Sequence, residues 1–270
     1  MSALELHKPD EEGFIPGIHN YCDRWCERCR FVAQCRVGIE ELDAEEGGFK
    51  ERTAEESMAE VRQNFMKTME MLRKMAAEQG IDLDAIVQDE KEVEREKSRR
   101  ERRREKVDEH PLSKLTMDYA VKGHCWSREQ REAMREVVNG WAEQARMGIE
   151  PEAQLRKAEQ VSSALEVIER HAMLVASKTN RAIMGRVEDR GIYDEEVGPW
   201  QTDANGSAKL AILLMEESLA AWTLLLEHMP QFTDGMLPFL GMLAQGVEWM
   251  RKEFPDAVRF IRPGFDAPQN

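Results

Sequence analysis

The chain has 270 residues, 41% of them hydrophobic and 33% charged, which is enough to bury one large core or two small ones. A net charge of -14 and a pI near 5.1 oppose wholesale capture by nucleic acid or an anionic membrane, because the mean field repels phosphate. No run approaches the roughly eighteen apolar residues of a membrane span. The opening Met-Ser-Ala-Leu-Glu-Leu-His-Lys has neither a basic nor an apolar signal region, so a cytoplasmic protein is expected.

Residues 1–52 read as an irregular leader, with Pro9, Gly13, Pro16 and Gly17, that delivers the chain to four clustered cysteines and then to a connector over 40–52. Thr53 followed by Glu56 forms a capping box. Val61, Phe65, Met69 and Leu72 then recur at helical spacing up to Gly80, a natural stop, so 53–88 is a helical segment. Met66, Met69, Met71 and Met75 there read as core filler or as a face that docks another helix.

From Asp89 to Glu109, eighteen of twenty-one residues are charged, nine of each sign, with no apolar stripe to bury. Residues 89–110 therefore read as a solvated, charged helical linker that His110-Pro111 ends. The body, 111–270, reads as helices at 112–122, 127–147, 151–184, 207–229 and 233–252. Ser127 opens the second of these, Gly148 closes it, and Pro151 begins the third. The apolar segment from Ser207 to Met229 should be a central core helix, and the acidic turn 188–206 the longest loop. The expected fold is all-α: a helical bundle preceded by a four-cysteine metal- or cluster-binding segment.

Cys22, Cys26, Cys29 and Cys35 form a C-x3-C-x2-C-x5-C pattern, and the remaining residues contain only Cys125. In a reducing compartment such clustering points to metal ligands, with unrelated buried thiols or a disulfide in an exported form as the alternatives. On a helix the first three would share one stripe, and the chain would have to turn back to bring in Cys35. Zinc is usually held by two Cys-x2-Cys knuckles and only one is present, so the compact spacing favours a [4Fe-4S] cluster, with Zn2+ as the alternative. Arg24, Arg28, Arg30 and Arg36 would answer the negative charge of either centre.

Cys22, Cys26 and Cys29 match the spacing of radical S-adenosylmethionine enzymes, yet Arg28 stands where an aromatic is usual and repeated strand–helix units are missing. Cys26 to Phe31 with Cys35 is similar to the cluster-binding tail of RecB-type nucleases, but Pro9-Asp10 and Asp89-Glu90-Lys91 match their catalytic motifs in letters only. Over most of its length the chain resembles a group of uncharacterised bacterial proteins that share Ile-x-Asn-Tyr-Cys-Asp-Arg-Trp-Cys-Glu-Arg-Cys, Asn-Gly-Ser-Ala-Lys and Arg-Pro-Gly-Phe-Asp. Here these are Ile18 to Cys29, Asn205 to Lys209 and Arg262 to Asp266. The resemblance implies no activity.

In the body, Glu166, Glu169 and His171 invite a metal reading, but the Glu-x-x-His spacing of di-iron bundles does not occur. His171, Lys178 and Arg181 lie on one face of the long helix, opposite in charge to Glu216 and Glu217 on the next. They read either as an interhelical salt-bridge network or as an anion site formed by Lys178, Arg181, Glu216 and Asn205, with the Asn205-Gly206-Ser207 turn offering N–H groups. His124-Cys125 reads as packing or as an outside ligand. The run Lys97 to Lys106 is basic but has no interleaved aromatics for base stacking, so nucleic acid is not favoured as a partner.

The leading expectation is thus a soluble iron–sulfur protein for electron transfer or redox sensing with a protein partner. A zinc-stapled interaction protein is the alternative. A third is an enzyme or anion-binding protein that uses a cleft between 151–184 and 207–229.

Overall fold

The computed structural model describes residues 8–46, 53–81, 90–188 and 198–266. All regular structure among them is helical: α1 (Arg36–Glu46), α2 (Ala54–Glu78), α3 (Glu90–Glu109), α4 (Pro111–Arg146), α5 (Pro151–Glu188), α6 (Asp203–His228) and α7 (Thr233–Glu253), with short 3-10 turns between. No described helix is long and apolar enough to cross a membrane. The chain divides into two compact units, Met1–Arg36 with Arg103–Asn270, and Val37–Arg102, and α3 carries the boundary. The cysteine segment thus belongs to the same unit as the helical body.

Capping chemistry sets most helix ends where the sequence expects them. Thr53 and Glu56 make the reciprocal box that starts α2. Gly80 (φ 70°) and Gly148 (φ 79°) end α2 and α4 in left-handed closures. In the first, the Ile81 and Gly80 N–H groups donate to the Ala76 and Ala77 carbonyls at 2.8 and 3.1 Å; in the second, Ile149 and Gly148 donate to Gln144 and Ala145 at 3.0 Å each. Pro111 and Pro151 stand at first-turn positions, where a missing N–H costs nothing.

α1 is a helix where the leader and connector are expected, and three other boundaries differ for reasons of packing or capping. α4 runs unbroken through Gly123 and Ser127, because both are buried on its inner face, Gly123 beside the Tyr119 ring, and neither has a left-handed backbone. α5 continues past Gly185, which marks a close helix crossing: a Cβ there would lie 3.0 Å from that of Ala204 on α6. α6 begins at Asp203 rather than Ser207, capped by the Thr202 hydroxyl, which accepts the Asn205 N–H at 3.2 Å. Of the expected loop 188–206, residues 189–197 lie outside the described residues.

In the larger unit α5 packs between α4 and α6, and α7 closes against α6 and α4. α6 is the central helix that its apolar composition predicts, with Leu210, Leu214, Met215, Trp222 and Leu225 all buried. Trp222 stacks on Phe239 at 4.9 Å, and its indole N–H donates to the Tyr119 hydroxyl at 3.2 Å, so the polar handle of the buried indole is satisfied. In the smaller unit, Val61, Phe65 and Leu72 of α2 are not covered by the other helices of that unit. Met66, Met71 and Met75 are exposed rather than core.

Candidate functional site

The cysteine segment does not build the metal centre that its spacing suggests. Ligands at i, i+4 and i+7 share a stripe only if the backbone is one α-helix, and here it is three separate 3-10 turns, Ile18–Tyr21, Cys26–Arg28 and Val32–Gln34. Cys22, Cys29 and Cys35 lie between them in extended conformation, and Arg24 takes a left-handed φ of 59°. Among the described residues no group of three or more His, Cys, Asp or Glu side chains is placed to hold a metal ion. The expectation of a [4Fe-4S] cluster or Zn2+ on Cys22, Cys26, Cys29 and Cys35 is overturned, and with it electron transfer, cluster-based sensing and a zinc staple.

No disulfide joins these cysteines either. The Cys22 thiol points to the His19 carbonyl at 3.6 Å, and burial pushes its pKa up, so it is held as a thiol. Cys35 is buried. Cys125, expected in the interior, is exposed on α4 together with His124.

The arginines expected to balance a cluster instead fasten the segment down. Arg28 pairs with Glu166 on α5 and lies 4.0 Å over the Trp25 ring, and Arg170 of α5 covers the same ring at 5.1 Å while donating to the Arg24 carbonyl. Arg36 pairs with Asp10 and Glu12 at 3.1 and 2.7 Å, and Arg30 lies 4.6 Å from the Phe31 centroid.

Lys178 and Arg181 are likewise committed elsewhere. Lys178, 8% exposed, donates to the Asn20 carbonyl at 2.7 Å, and burial pushes its pKa down. Arg181 forms a two-pronged pair with Asp203, at 2.9 and 2.6 Å, and the Tyr21 hydroxyl donates to the same carboxylate at 3.0 Å. Glu216 pairs with Arg251 at 2.5 Å beside a separate small cavity. The Asn205 N–H is taken by Thr202 and its side-chain amide donates to the Trp200 carbonyl at 3.0 Å, while the Gly206 N–H bonds Thr202. Lys178, Arg181, Glu216 and Asn205 thus form neither a common anion site nor a network with one another. Glu169 pairs with Arg131 at 2.7 Å.

The three motifs that lie far apart in sequence do converge. Tyr21 packs on Phe260 at 4.7 Å, and both rings cover Gly206, where no Cβ would fit. Lys209 pairs with Asp266 at 2.7 Å, Arg262 holds the same carboxylate, and Phe265 meets Phe31 edge-on at 5.2 Å. The hydrogen bonds from Arg262 and Lys209 outweigh burial and keep the Asp266 pKa low.

Their meeting point bounds a groove of about 670 Å³ between α5 and α6, under Trp25, Arg28 and Arg30. Its sides are largely apolar: Ala164 and Val167 from α5, Ala220, Ala221 and Leu224 from α6, and Phe265. At the polar end stand Asp23, His171 and Glu217. His171 is 1% exposed, neither ring nitrogen makes a well-formed hydrogen bond although the Leu214 carbonyl of α6 acts on the ring, and its Nε2 lies 3.7 Å from a Glu217 oxygen. Burial lowers the imidazole pKa, and burial together with Asp23 raises that of Glu217. His171 and Glu217 stand in the sequence among other charged residues on their helices. What separates Glu217 from Glu216 is only the 100° between successive helical positions.

Comparison with family models, with curated proteins and with solved structures finds no match.

Proposed function

We propose that this chain binds a small organic molecule in the groove between α5 and α6, with the cysteine segment as its roof. The observation that carries this reading is His171: a buried imidazole on the wall of an open groove whose ring nitrogens lack a well-formed hydrogen bond. Leaving such a group unsatisfied costs about 1–3 kcal/mol. A ligand that reaches it restores that cost. The volume lies within the roughly 300–1,000 Å³ of small-molecule sites, and the lining, apolar with a few converging polar groups, has their usual make-up.

Ala220 is exposed at the groove's edge, so Ala220→Trp should fill the groove while sparing the core. A metabolite-like library screened by thermal shift should give compounds that raise the melting temperature of the wild type and not of this variant. Equal shifts in both proteins, or none in either, would remove the groove as a binding site.

A further inference from the structure

The polar end of the groove also constrains what the ligand must offer, and we infer, resting on the reading above, that it is an organic cation: a primary amine carried on an aliphatic or aromatic body. The groups that converge there are acceptors. Asp23 and Glu217 are carboxylates, and the buried neutral His171 presents one bare ring nitrogen besides its N–H. No lysine or arginine nitrogen lies within ion-pairing distance of Glu217 among the described residues, where its neighbour at that range is the His171 imidazole. The nearby guanidinium groups are engaged elsewhere: Arg28 by Glu166, and Arg262 by Asp266. Arg30 is exposed at the groove mouth against the Phe31 ring.

Geometry agrees with this chemistry. His171 Nε2 and Glu217 Oε2 are 3.7 Å apart, too far to bond each other. Glu217 is the accessible member of the pair, and an ammonium seated on its carboxylate comes within the field of the buried His171 ring. Asp23 lines the same groove, and its field acts on both His171 and Glu217. A metal cation does not fit, since no described group of ligands is spaced for one. An anion that reached this end would meet the Asp23 and Glu217 carboxylates, while Arg28 and Arg30 stand at the roof and mouth of the groove. Val167, Leu224, Trp25 and Phe265 leave room for the apolar body, and the edge of Trp25 already meets His171 with the two ring planes at 83°.

The test is a matched set on one skeleton, 3-phenylpropylamine, 3-phenylpropanol and 3-phenylpropionate, titrated calorimetrically into the full chain. The amine should bind at least tenfold more tightly than the other two. It should lose at least tenfold in Glu217→Gln and in Asp23→Asn, and keep its affinity in Glu216→Gln, whose carboxylate faces Arg251. Glu217 is more than half exposed, so its variant should fold as the wild type does. If the alcohol or the carboxylate binds as well as the amine, and Ala220→Trp blocks it, the cation inference fails while the groove reading stands. If none of the three binds, or if the amine is insensitive to both carboxylate variants, the cation inference is overturned. Binding of all three that survives Ala220→Trp would overturn the groove reading as well.

Discussion

Lys178 Nζ donates to the main-chain carbonyl of Asn20 at 2.7 Å, so a lysine that is nine-tenths buried on α5 is held by the leader segment and not by a carboxylate. The bond ties the cysteine segment to the bundle. It also means that the lysine's charge costs desolvation which no ion pair offsets, as its lowered pKa records.

Lys178→Met should leave the Asn20 carbonyl unsatisfied and cost about 1–3 kcal/mol, reduced by the desolvation no longer incurred. Its effect should add to that of Glu216→Leu, since the two groups share no partner. The folded-state pKa lies below 10.5, so in the window between the two values the unfolded chain binds more protons. Wild-type stability should therefore rise relative to Lys178→Met as pH climbs through that window. Urea titrations at a series of alkaline pH values check it, and a fall would contradict the assignment.

His171 predicts an opposite limb of the pH profile. Its folded-state pKa lies below 6.5, chiefly through burial, with Asp23 and the Leu214 carbonyl raising it and Arg170 lowering it further. Above 6.5 the imidazole is neutral in both states and contributes no slope. As pH falls below 6.5 the unfolded chain takes the proton first, so stability is lost. Glu217, whose pKa is raised above 4.5, acts in the other sense: its cost appears as pH rises through 4.5 and beyond. The wild type should thus lose more stability than His171→Phe between pH 7.5 and 5.5 in thermal melts, with Glu217→Gln as the variant that isolates the carboxylate.

Two glycines give a contrast. A Cβ at Gly206 would run into the Tyr21 and Phe260 rings, so Gly206→Ala should destabilise by about 1–3 kcal/mol. Gly140 on α4 has nothing within 4 Å and an ordinary helical position, so Gly140→Ala should stabilise by about 0.4–1 kcal/mol. Denaturant midpoints of the two variants should move in opposite directions.

Thiol chemistry should follow burial rather than membership of the sequence cluster. Cys125 is exposed, whereas Cys35 is 8% exposed and Cys22 is partly buried with a raised pKa. Timed alkylation of the native protein, read by peptide mass spectrometry, should label Cys125 first and Cys22 and Cys35 last. Simultaneous fast labelling of Cys22 and Cys35 would show that the segment is not docked as described.

The helices were legible in the sequence because their signals are local. Thr53 with Glu56, Gly80, Gly148, Pro111 and Pro151 act within one turn, through N–H and C=O groups that the helix itself leaves unsatisfied. Composition alone likewise marked α6 as the core helix. Gly185 is the complementary case: a small residue that reads as a stop is, in the fold, the place where Ala204 of α6 comes close. The cysteine spacing does not translate into a site, because spacing implies ligand geometry only if the backbone conformation is known. Three short turns and a left-handed Arg24 depend on contacts with α5 that no local pattern records. The charge types on α5 and α6 are legible in the sequence, but which carboxylate faces the groove is not. Glu216 and Glu217 differ by a single helical step, and only the docking of Trp25, Phe265 and Arg251 from three distant parts of the chain assigns one to a salt bridge and the other to His171.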